Sequence, residues 1–464
     1  MNPSFDLGYS ISVVPHLRTI LRKLLRQMST PRKSQVCLHN STVIMSSTIH
    51  PKTKSFYPTI LQVRPTTSRC RPLPQEILEK IIDLVAASSH YPYVELQNCA
   101  LTSKAWRIRS QFHQHKAKYI VRADDGNSLV ERYRGTRLAG YVRSLILEGK
   151  FDGDSFYELR WKPFQEIFPY VDHLHLKDVF HRITIKFPSP TPTFPQLTSL
   201  SLWWVTFPTC GSFITILRTL PNLSYLKLGR IKWHCVDHPE DTTADLRTQL
   251  NLKRLEIESS EGLEELDCVD KHLDLSRLEV VRLYWLGGYE LRRALTKTRI
   301  DKLTHKARAS LQSLTLVVKI FSFLPVDPGY TRLTVNSRLE DLTIGVLDLA
   351  QTSSPKVDYN WILDTLSDLS PTRFRQCKIL LRIEDMSRFS DVPWNRIDNA
   401  LCGSRFTAFE TMTIAITDRS WLPWVTNDEP EKIGVSDVLP VARHLLPKLT
   451  GRNALEVVGA SQYR

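Results

Sequence analysis

A group of cysteine and histidine residues is the strongest candidate for metal chemistry in this sequence. His234, Cys235 and His238 lie close together, and Cys268 and His272 follow further along the chain. Thiolate and imidazole are ligands that Zn²⁺ prefers, and the gap between Cys235 and His238 is suitable, but zinc sites generally use two closely spaced ligand pairs. No second pair has that spacing. We therefore predict no metal site and interpret the group as loop histidines beside a buried cysteine.

Carboxylate side chains that could act as general acids or bases occur in three groups. These are Asp124 with Asp125, Glu261 with Glu264 and Glu265, and Glu429 with Glu431. All lie in expected turns or on solvated faces, whereas acid–base catalysis needs groups positioned around a substrate. The sequence has no GxSxG, GxxxxGK[ST], GxGxxG or HExxH motif. We predict that the protein is not an enzyme and uses no cofactor.

Basic charge is concentrated at the N-terminus. The 464 residues include 62 Lys and Arg against 48 Asp and Glu, a net charge of +14, yet residues 1–71 hold eleven of the basic residues and one acidic residue. The rest of the chain is nearly balanced, so the net charge says little about what it binds. Because residues 1–70 are also rich in Ser, Thr and Pro, we expect a disordered tail. An organellar targeting peptide, or an arm that binds membranes or nucleic acid, is the alternative.

Cysteine usage and hydropathy bear on the compartment. No stretch approaches the ~18 uninterrupted apolar residues that a membrane-spanning helix needs. The eight cysteines have no CxxC spacing, which excludes a disulfide-rich scaffold and favours a reducing compartment. We predict a cytoplasmic or nuclear protein, or both, with no membrane partner.

Three short helices are predicted within residues 71–125. Pro74 suits a first helical turn, and apolar residues from Ile77 to Val85 then recur at helical spacing. Further helices begin near Val94 and Ser103. A unit of this size buries few core residues, so we expect a partner to cover one apolar face.

This helical segment resembles the F-box family. Ten positions match in register over 34 residues: Leu73, Pro74, Glu76, Ile77, Ile81, Leu84, Leu101, Ser103, Lys104 and Trp106. The resemblance implies docking onto the Skp-type adaptor of a cullin ubiquitin ligase. The adaptor-binding or supporting positions that it implies are Leu73, Pro74, Ile77, Leu101 and Trp106. The core of an unrelated helical hairpin is the alternative.

A six-residue pattern, apolar-x-x-apolar-x-apolar, recurs through the following region. Copies begin at residues 142, 171, 197, 223, 252, 278, 311 and 339, and weaker copies begin at 374 and 409. Such a narrow interval indicates a repeat array, and returns such as 211–220 and 361–369 have helical periodicity. The pattern resembles leucine-rich repeats, which implies a short strand and a helical or irregular return in each unit. The family's usual Asn or Cys after the last apolar residue is absent, so we expect irregular curvature and loop insertions at 186–195 and 236–246.

Strand alternation predicts which side chains lie outside the core, on the concave face of the array. They are His173, His175, Lys177, Ser199, Ser201, Trp203, Tyr225, Lys227, Arg254, Glu256, Arg282 and Tyr284. Aromatic and arginine side chains dominate interface energetics. We therefore predict a target-binding site formed by His175, Trp203, Tyr225, Arg254, Arg282 and Tyr284. Any half-buried sheet also leaves some such residues outside, which is the alternative.

The predicted fold is α/β: a three-helix F-box followed by an irregular leucine-rich-repeat solenoid, with short parallel strands and helical returns. The expected parts are a basic tail (1–70), the F-box (71–125), the repeat array (126–420) and a C-terminal cap and tail (421–464). The arrangement after residue 71 resembles fungal F-box proteins. It implies a substrate-recognition subunit of a Skp–cullin–F-box ubiquitin ligase, with a target protein rather than nucleic acid as partner. A non-catalytic repeat scaffold, binding protein or nucleic acid outside ubiquitination, is the alternative.

Overall fold

The computed structural model describes most of the chain after residue 73. The described residues are 74–88, 92–102, 104–120, 123–148, 161–177, 194–207, 209–233, 250–259, 263, 265–286, 290–319, 337–348, 359–369, 372–383, 386–416 and 433–459. Two compact units divide at His115 and Lys116. None of the helices in these ranges is long and apolar enough to cross a membrane. The N-terminal tail lies outside the described residues, as do almost all of the two expected loop insertions.

The first unit contains the three helices that periodicity predicts. They are α1 (Gln75–Ser88), α2 (Pro92–Thr102) and α3 (Lys104–His115). Helix α1 begins after Pro74, whose carbonyl oxygen accepts hydrogen bonds from the backbone N–H groups of Ile77 and Leu78, at 3.1 and 3.2 Å. Its core is small: Ile82, Val85 and Leu96 are buried together, and Trp106 packs against them.

An ionic contact ties α1 to α3. The Asp83 carboxylate accepts hydrogen bonds from Arg109 Nε at 2.6 Å and Nη2 at 2.8 Å, and His113 Nε2 lies 2.7 Å away. The hydrogen bond from Arg109 lowers the pKa of Asp83 below its ordinary value. In a unit with so few buried apolar residues, such a bidentate contact fixes how the two helices pack.

The second unit is built on one parallel sheet of twelve strands. Its strands, in spatial order, are β1 (Ala117–Ile120), β2 (Ser144–Glu148), β3 (His173–Lys177), β4 (Ser199–Trp203), β6 (Tyr225–Gly229), β8 (Arg254–Ser259), β9 (Val280–Leu286), β10 (Ser313–Lys319), β11 (Asp341–Asp348), β12 (Gln376–Arg382), β13 (Thr411–Ile416) and β14 (Leu455–Gly459). Short strands β5 (Thr206–Phe207) and β7 (Lys232–Trp233) form a separate pair. Spatial order follows chain order, as expected for stacked repeats.

Helices connect many of the strands. They are α4 (Ala123–Tyr133), α5 (Trp161–Ile167), α6 (Cys210–Arg218), α7 (Glu265–His272), α8 (Glu290–Lys306), α9 (Asn360–Asp368), α10 (Trp394–Cys402), α11 (Val435–Leu445) and α12 (Pro447–Gly451), with 3₁₀ turns at Arg137–Tyr141 and Met386–Asp391. Helix α6 begins at a capping box in which Thr209 Oγ1 accepts from the Ser212 N–H at 3.1 Å and Ser212 Oγ accepts from the Thr209 N–H at 3.2 Å. Such reciprocal bonds satisfy N–H groups that the first helical turn leaves unpaired.

The repeated apolar residues form a ladder across the sheet, which confirms the repeat pattern. Partnered residues in successive strands are Leu145, Leu174, Leu200, Leu226, Leu255, Val281, Leu314, Leu342, Cys377 and Met412. All are buried, together with apolar residues of the helices such as Phe213 and Leu366. The ten copies therefore build one continuous core between the sheet and its returns.

Two strands extend the sheet beyond the repeats that the pattern marks. β1 pairs with β2 and lies within residues 71–125, which the sequence analysis placed with the helices. β14 pairs with β13 inside the expected C-terminal tail, after α11 and α12. Asp398 of α10 anchors this terminal segment: its carboxylate is buried and accepts from the N–H groups of Lys448 and Leu449, at 3.0 and 2.9 Å.

Within the described residues a disulfide bond is present, although cysteine spacing gave no sign of it. It joins Cys210, at the start of α6, to Cys268 in α7, with a Cα–Cα distance of 6.0 Å and a sequence separation of 58 residues. The two helices belong to returns that are two repeats apart, and only the stacking of repeats brings them together. The described residues also include free thiols at Cys99, Cys377 and Cys402.

Candidate functional site

The face of the sheet opposite the apolar ladder, called here the open face, carries side chains in three rows. On β3, β4, β6, β8 and β9 the first row is His173, Ser199, Tyr225, Arg254 and Val280; the second is His175, Ser201, Lys227, Glu256 and Arg282; the third is Lys177, Trp203, Gly229, Glu258 and Tyr284. Adjacent strands lie about 4.8 Å apart, so neighbours within a row can interact. The six predicted target-binding residues all lie on this face.

Glu256 is the centre of an ionic cluster on the open face. Its carboxylate accepts hydrogen bonds from the Lys227 ammonium and from the Tyr225 hydroxyl, the latter at 3.0 Å, and Arg254 Nη2 lies 3.8 Å from it. We call these four residues the Glu256 cluster. The Glu256 side chain is only 8% exposed, whereas those of Lys227 and Arg254 are 28% and 38% exposed. The negative charge is therefore buried below two positive charges that still face solvent.

Aromatic rings hold the cations of the cluster in place. Arg254 Cζ lies 4.7 Å from the centre of the Tyr225 ring, and Lys227 Nζ lies 5.8 Å from the centre of a Trp203 ring. Both contacts are of the cation–π type, which stabilises partly exposed cations. Burial, followed by the proximity of Glu256, raises the pKa of Tyr225 to about 12. Tyr225 therefore stays protonated and can donate its hydrogen bond to Glu256.

Trp203 lies flat against the open face because the next strand has glycine at the facing position. A Cβ atom placed on Gly229 would lie 2.1 Å from Trp203 Cε3 and 2.5 Å from Cζ3. No side chain other than hydrogen leaves room for the ring in this orientation. Gly229 thus determines that Trp203 covers the sheet instead of projecting away from it.

Tyr284 has a more structural position than the sequence analysis predicted. It packs against a second apolar cluster on the open face, formed by Val317, Leu380, Ala415 and Val458. Burial, and secondarily the charge of Glu256, raises the pKa of Tyr284 to about 12. Its ring therefore links the ionic cluster to this apolar strip.

The remaining predicted residues of the face, His175 and Arg282, lie in the second row on either side of the cluster. His175 is partly buried on β3. Arg282 lies on β9, next to Glu256 in the register, and is also partly buried. It makes no hydrogen bond or ion pair with the residues that the structure describes. A guanidinium has five donors, so Arg282 can donate hydrogen bonds to a partner of this face.

The adaptor-binding residues implied by the resemblance have different environments in the helical unit. Leu73 lies outside the described residues, Pro74 is exposed, and Ile77 is partly buried. Leu101 is 76% exposed, whereas Trp106 packs against the small core. Two further large apolar side chains of the same helices, Tyr93 and Ile108, are exposed as well. Neither was predicted to be a contact residue.

The residues considered for metal or acid–base chemistry are not brought together where they can be described. Cys268 is bonded to Cys210, while His234, Cys235 and His238 lie outside the described residues. Across the described ranges, no three His, Cys, Asp or Glu side chains are placed to hold a metal ion. Glu265 departs from the expectation of a solvated carboxylate, since it is buried at the start of α7. The positive end of the helix dipole favours an acidic side chain there.

Lys227 and Glu256 are among the residues predicted to point outward, but they were not predicted to belong to the site. Their importance follows from the register, because Tyr225 and Lys227 lie one strand away from Arg254 and Glu256. A signal was available: Glu256 is the one carboxylate among the twelve side chains expected to point outward. Surrounded by cations in neighbouring repeats, it was a candidate for their common partner.

No protein-family model and no curated protein matches this sequence. Among solved structures, the chain is similar to the leucine-rich repeat-containing protein LegL7 from Legionella pneumophila, at 13% identity and a TM-score of 0.39, over 72% of this chain and 98% of that one. It is also similar to a protein from Bacteroides fragilis, at 16% identity and a TM-score of 0.31, over 60% of this chain and 72% of that one. The array is leucine-rich-repeat-like in its parallel strands, their register and the apolar ladder.

Proposed function

We propose that this protein is the substrate-recognition subunit of a Skp–cullin–F-box ubiquitin ligase. In this role the helical unit docks onto the adaptor, and the open face of the repeat array binds a target protein. The protein itself acts by binding and not by catalysis, bringing target lysines close to the catalytic module of the ligase. Its expected location is the cytoplasm, the nucleus or both; disulfides are rare in these reducing compartments, so the Cys210–Cys268 bond counts against this expectation.

The observation that carries the proposal is the exposure of Leu101. The F-box resemblance implies this residue as an adaptor contact, and its side chain is 76% exposed although it lies on a helix of a unit with a very small core. A leucine in a well-ordered helix normally joins the core when it can, because burying it is favourable by about 1.5–3 kcal/mol. Tyr93 and Ile108 enlarge the exposed apolar surface of this unit. A partner that covers these side chains would remove their apolar area from water, which is favourable.

Trp106 supports this proposal in a different way. It packs against Ile82, Val85 and Leu96, so its role in docking would be to hold α3 in position. The contact between Asp83 and Arg109 fixes the same helix against α1. We therefore assign direct adaptor contact to Leu101 and a supporting role to Trp106.

Adaptor binding by the full chain tests the proposal. We expect a Skp-type adaptor to co-purify with the wild-type protein, and the change Leu101→Ala to weaken that binding by about tenfold, as for other apolar anchor residues. The matched control is Tyr170→Ala, since Tyr170 is an exposed apolar side chain in the second unit. Absence of adaptor binding to the wild type, or equal binding by both variants, would refute the ligase assignment.

A repeat scaffold outside ubiquitination is the second candidate function, and the open face supports it independently of the helices. Cations and aromatic rings that are grouped and partly exposed on one face of a sheet are suited to protein binding. If the adaptor does not bind, affinity capture with the full chain, compared with a Trp203→Ala and Tyr284→Ala double variant, identifies partners of this face. A partner retained by the wild type and lost by the double variant would support the scaffold role.

A further inference from the structure

We propose that the open face recognises an acidic side chain that has apolar side chains two residues before and two residues after it in an extended segment of the target protein, so that all three point to the same side. The carboxylate would bind between Lys227, Arg254 and Arg282, and its apolar neighbours would contact Trp203 and Tyr284. This inference deepens the proposed function, because it names the chemistry of the target that the array binds.

The vertical arrangement of charge in the Glu256 cluster is the first argument. Glu256 is nearly inaccessible, whereas the cations that it holds remain partly exposed. A partner that approaches the face therefore meets ammonium and guanidinium groups before it meets the carboxylate. An ammonium has three donors and a guanidinium has five, so contacts with one buried carboxylate leave donors unused.

Arg282 is the second argument. It lies one strand from Glu256 in the same row and two strands from Lys227. The usual spacing between strands places the backbones of Lys227 and Arg282 about 10 Å apart. Since Arg282 makes no hydrogen bond or ion pair with the described residues, its guanidinium is free to form a bidentate contact with a carboxylate.

The flanking residues limit what kind of acidic segment fits. Trp203 and Tyr284 occupy the third row, beside Gly229 and Glu258. Glu258 would repel a second carboxylate placed close to it, whereas the two rings offer apolar surface. The patch therefore matches an isolated acidic residue between apolar residues better than a continuous acidic run.

A protein segment fits this patch better than nucleic acid does. Nucleic-acid binding requires an extended track of basic side chains along the phosphate backbone. On the later strands of the open face, the described side chains include Asp341 and Glu456 as well as Lys378. On β6, β8 and β9 the cations outnumber the carboxylates Glu256 and Glu258 by one, which leaves room for one anionic group.

The test uses the full chain and two labelled peptides, Gly-Leu-Ser-Glu-Ser-Leu-Gly and the same peptide with Gln in place of Glu; in the extended form their Leu side chains share a face with the tested side chain. We expect fluorescence anisotropy to show about tenfold tighter binding of the Glu peptide, as for charge-assisted hydrogen bonds. Arg282→Gln should remove most of that preference. The matched control is Arg373→Gln, because Arg373 is exposed in a turn away from the open face. Urea unfolding should show that Arg282→Gln leaves stability unchanged.

Three results would overturn the inference: equal binding of the two peptides, a preference that survives Arg282→Gln, or a preference that Arg373→Gln reduces equally. Labelled duplex DNA is the competing probe, and binding that favours DNA and depends on Arg282 would assign the patch to nucleic acid instead. As a second measurement, carbodiimide cross-linking of the Glu peptide should modify Lys227. The adaptor is absent from these peptide assays. A negative peptide result therefore does not argue against adaptor docking, and a negative adaptor result does not affect how the peptide assays are interpreted.

Discussion

Replacing Glu256 with glutamine should lower stability and raise affinity for an acidic peptide at the same time. Glutamine keeps the size of the side chain and one hydrogen-bond acceptor, but it removes the charge that balances Lys227 and Arg254. A variant that merely disturbs the fold would weaken both properties. Opposite signs are therefore diagnostic of a charge buried below a binding surface.

The size of the stability loss follows from the exposure of the partners. Breaking a fully buried ion pair costs about 3–5 kcal/mol. Lys227 and Arg254 are 28% and 38% exposed, so water can still solvate them after the change. We expect a loss of about 2 kcal/mol, since a hydrogen bond to a charged group contributes about 1.5–3 kcal/mol.

The gain in affinity follows from Coulomb's law. A bound carboxylate about 6 Å from Glu256, at a dielectric constant between those of protein and water, is repelled by about 1 kcal/mol. Glu256→Gln should therefore bind the Glu peptide about fivefold more tightly, corresponding to that energy. The Gln peptide should show no such gain.

Urea unfolding and peptide anisotropy on the same samples check both signs. The double variant with Lys227→Met should recover part of the stability, with a coupling of about 1–2 kcal/mol between the two sites. A loss below about 0.5 kcal/mol for Glu256→Gln, within the range of ordinary surface substitutions, would refute the reasoning. Additive effects of the two changes would refute it as well.

Three further predictions concern the same region. Gly229→Ala should displace the Trp203 ring and cost about 1–3 kcal/mol as overpacking, measured by urea unfolding and near-ultraviolet circular dichroism; unchanged spectra would contradict this. Cys210→Ser should lower the unfolding free energy by about 2–4 kcal/mol. A reductant should lower the unfolding free energy of the wild type by the same amount and leave that of the variant unchanged. If the variant still responds to the reductant, the Cys210–Cys268 bond is not the cause. Because the folded-state pKa of Tyr225 is raised from 10.0 to about 12, the contribution of this hydroxyl to the unfolding free energy is complete below pH 10.0 and is lost as pH rises toward 12. Tyr225→Phe should therefore reduce the alkaline loss of stability by up to about 1 kcal/mol, allowing for partial exposure, and an unchanged urea midpoint profile would contradict it.

The repeat architecture could be predicted from sequence because each strand contributes the same three buried positions. Leu197, Leu200 and Leu202, for example, recur as a unit with a nearly constant interval, and pairing in register turns that interval into a ladder. The terminal strands β1 and β14 lack this pattern. At the ends of a stack a strand has only one neighbour to match, so packing constrains its sequence less.

The site was predictable in part for a related reason. Alternation assigned Trp203, Tyr225 and Arg282 to the correct face because the side-chain period of a strand is two. It could not show that Tyr284 would pack against an apolar strip, since the partners come from strands far along the chain. The disulfide could not be predicted for the same reason, because its two cysteines are 58 residues apart in the sequence.

The Cys210–Cys268 bond also has a mechanical consequence. It closes a covalent ring that contains β6 and β8, the strands that carry the Glu256 cluster. When the bond is formed, a pulling force applied to the two ends of the chain passes through the sulfur atoms and bypasses these strands. The chain between the cysteines cannot be drawn out until the bond is reduced. Pulling experiments should show a contour length shortened by this ring, with the cluster shielded from tension.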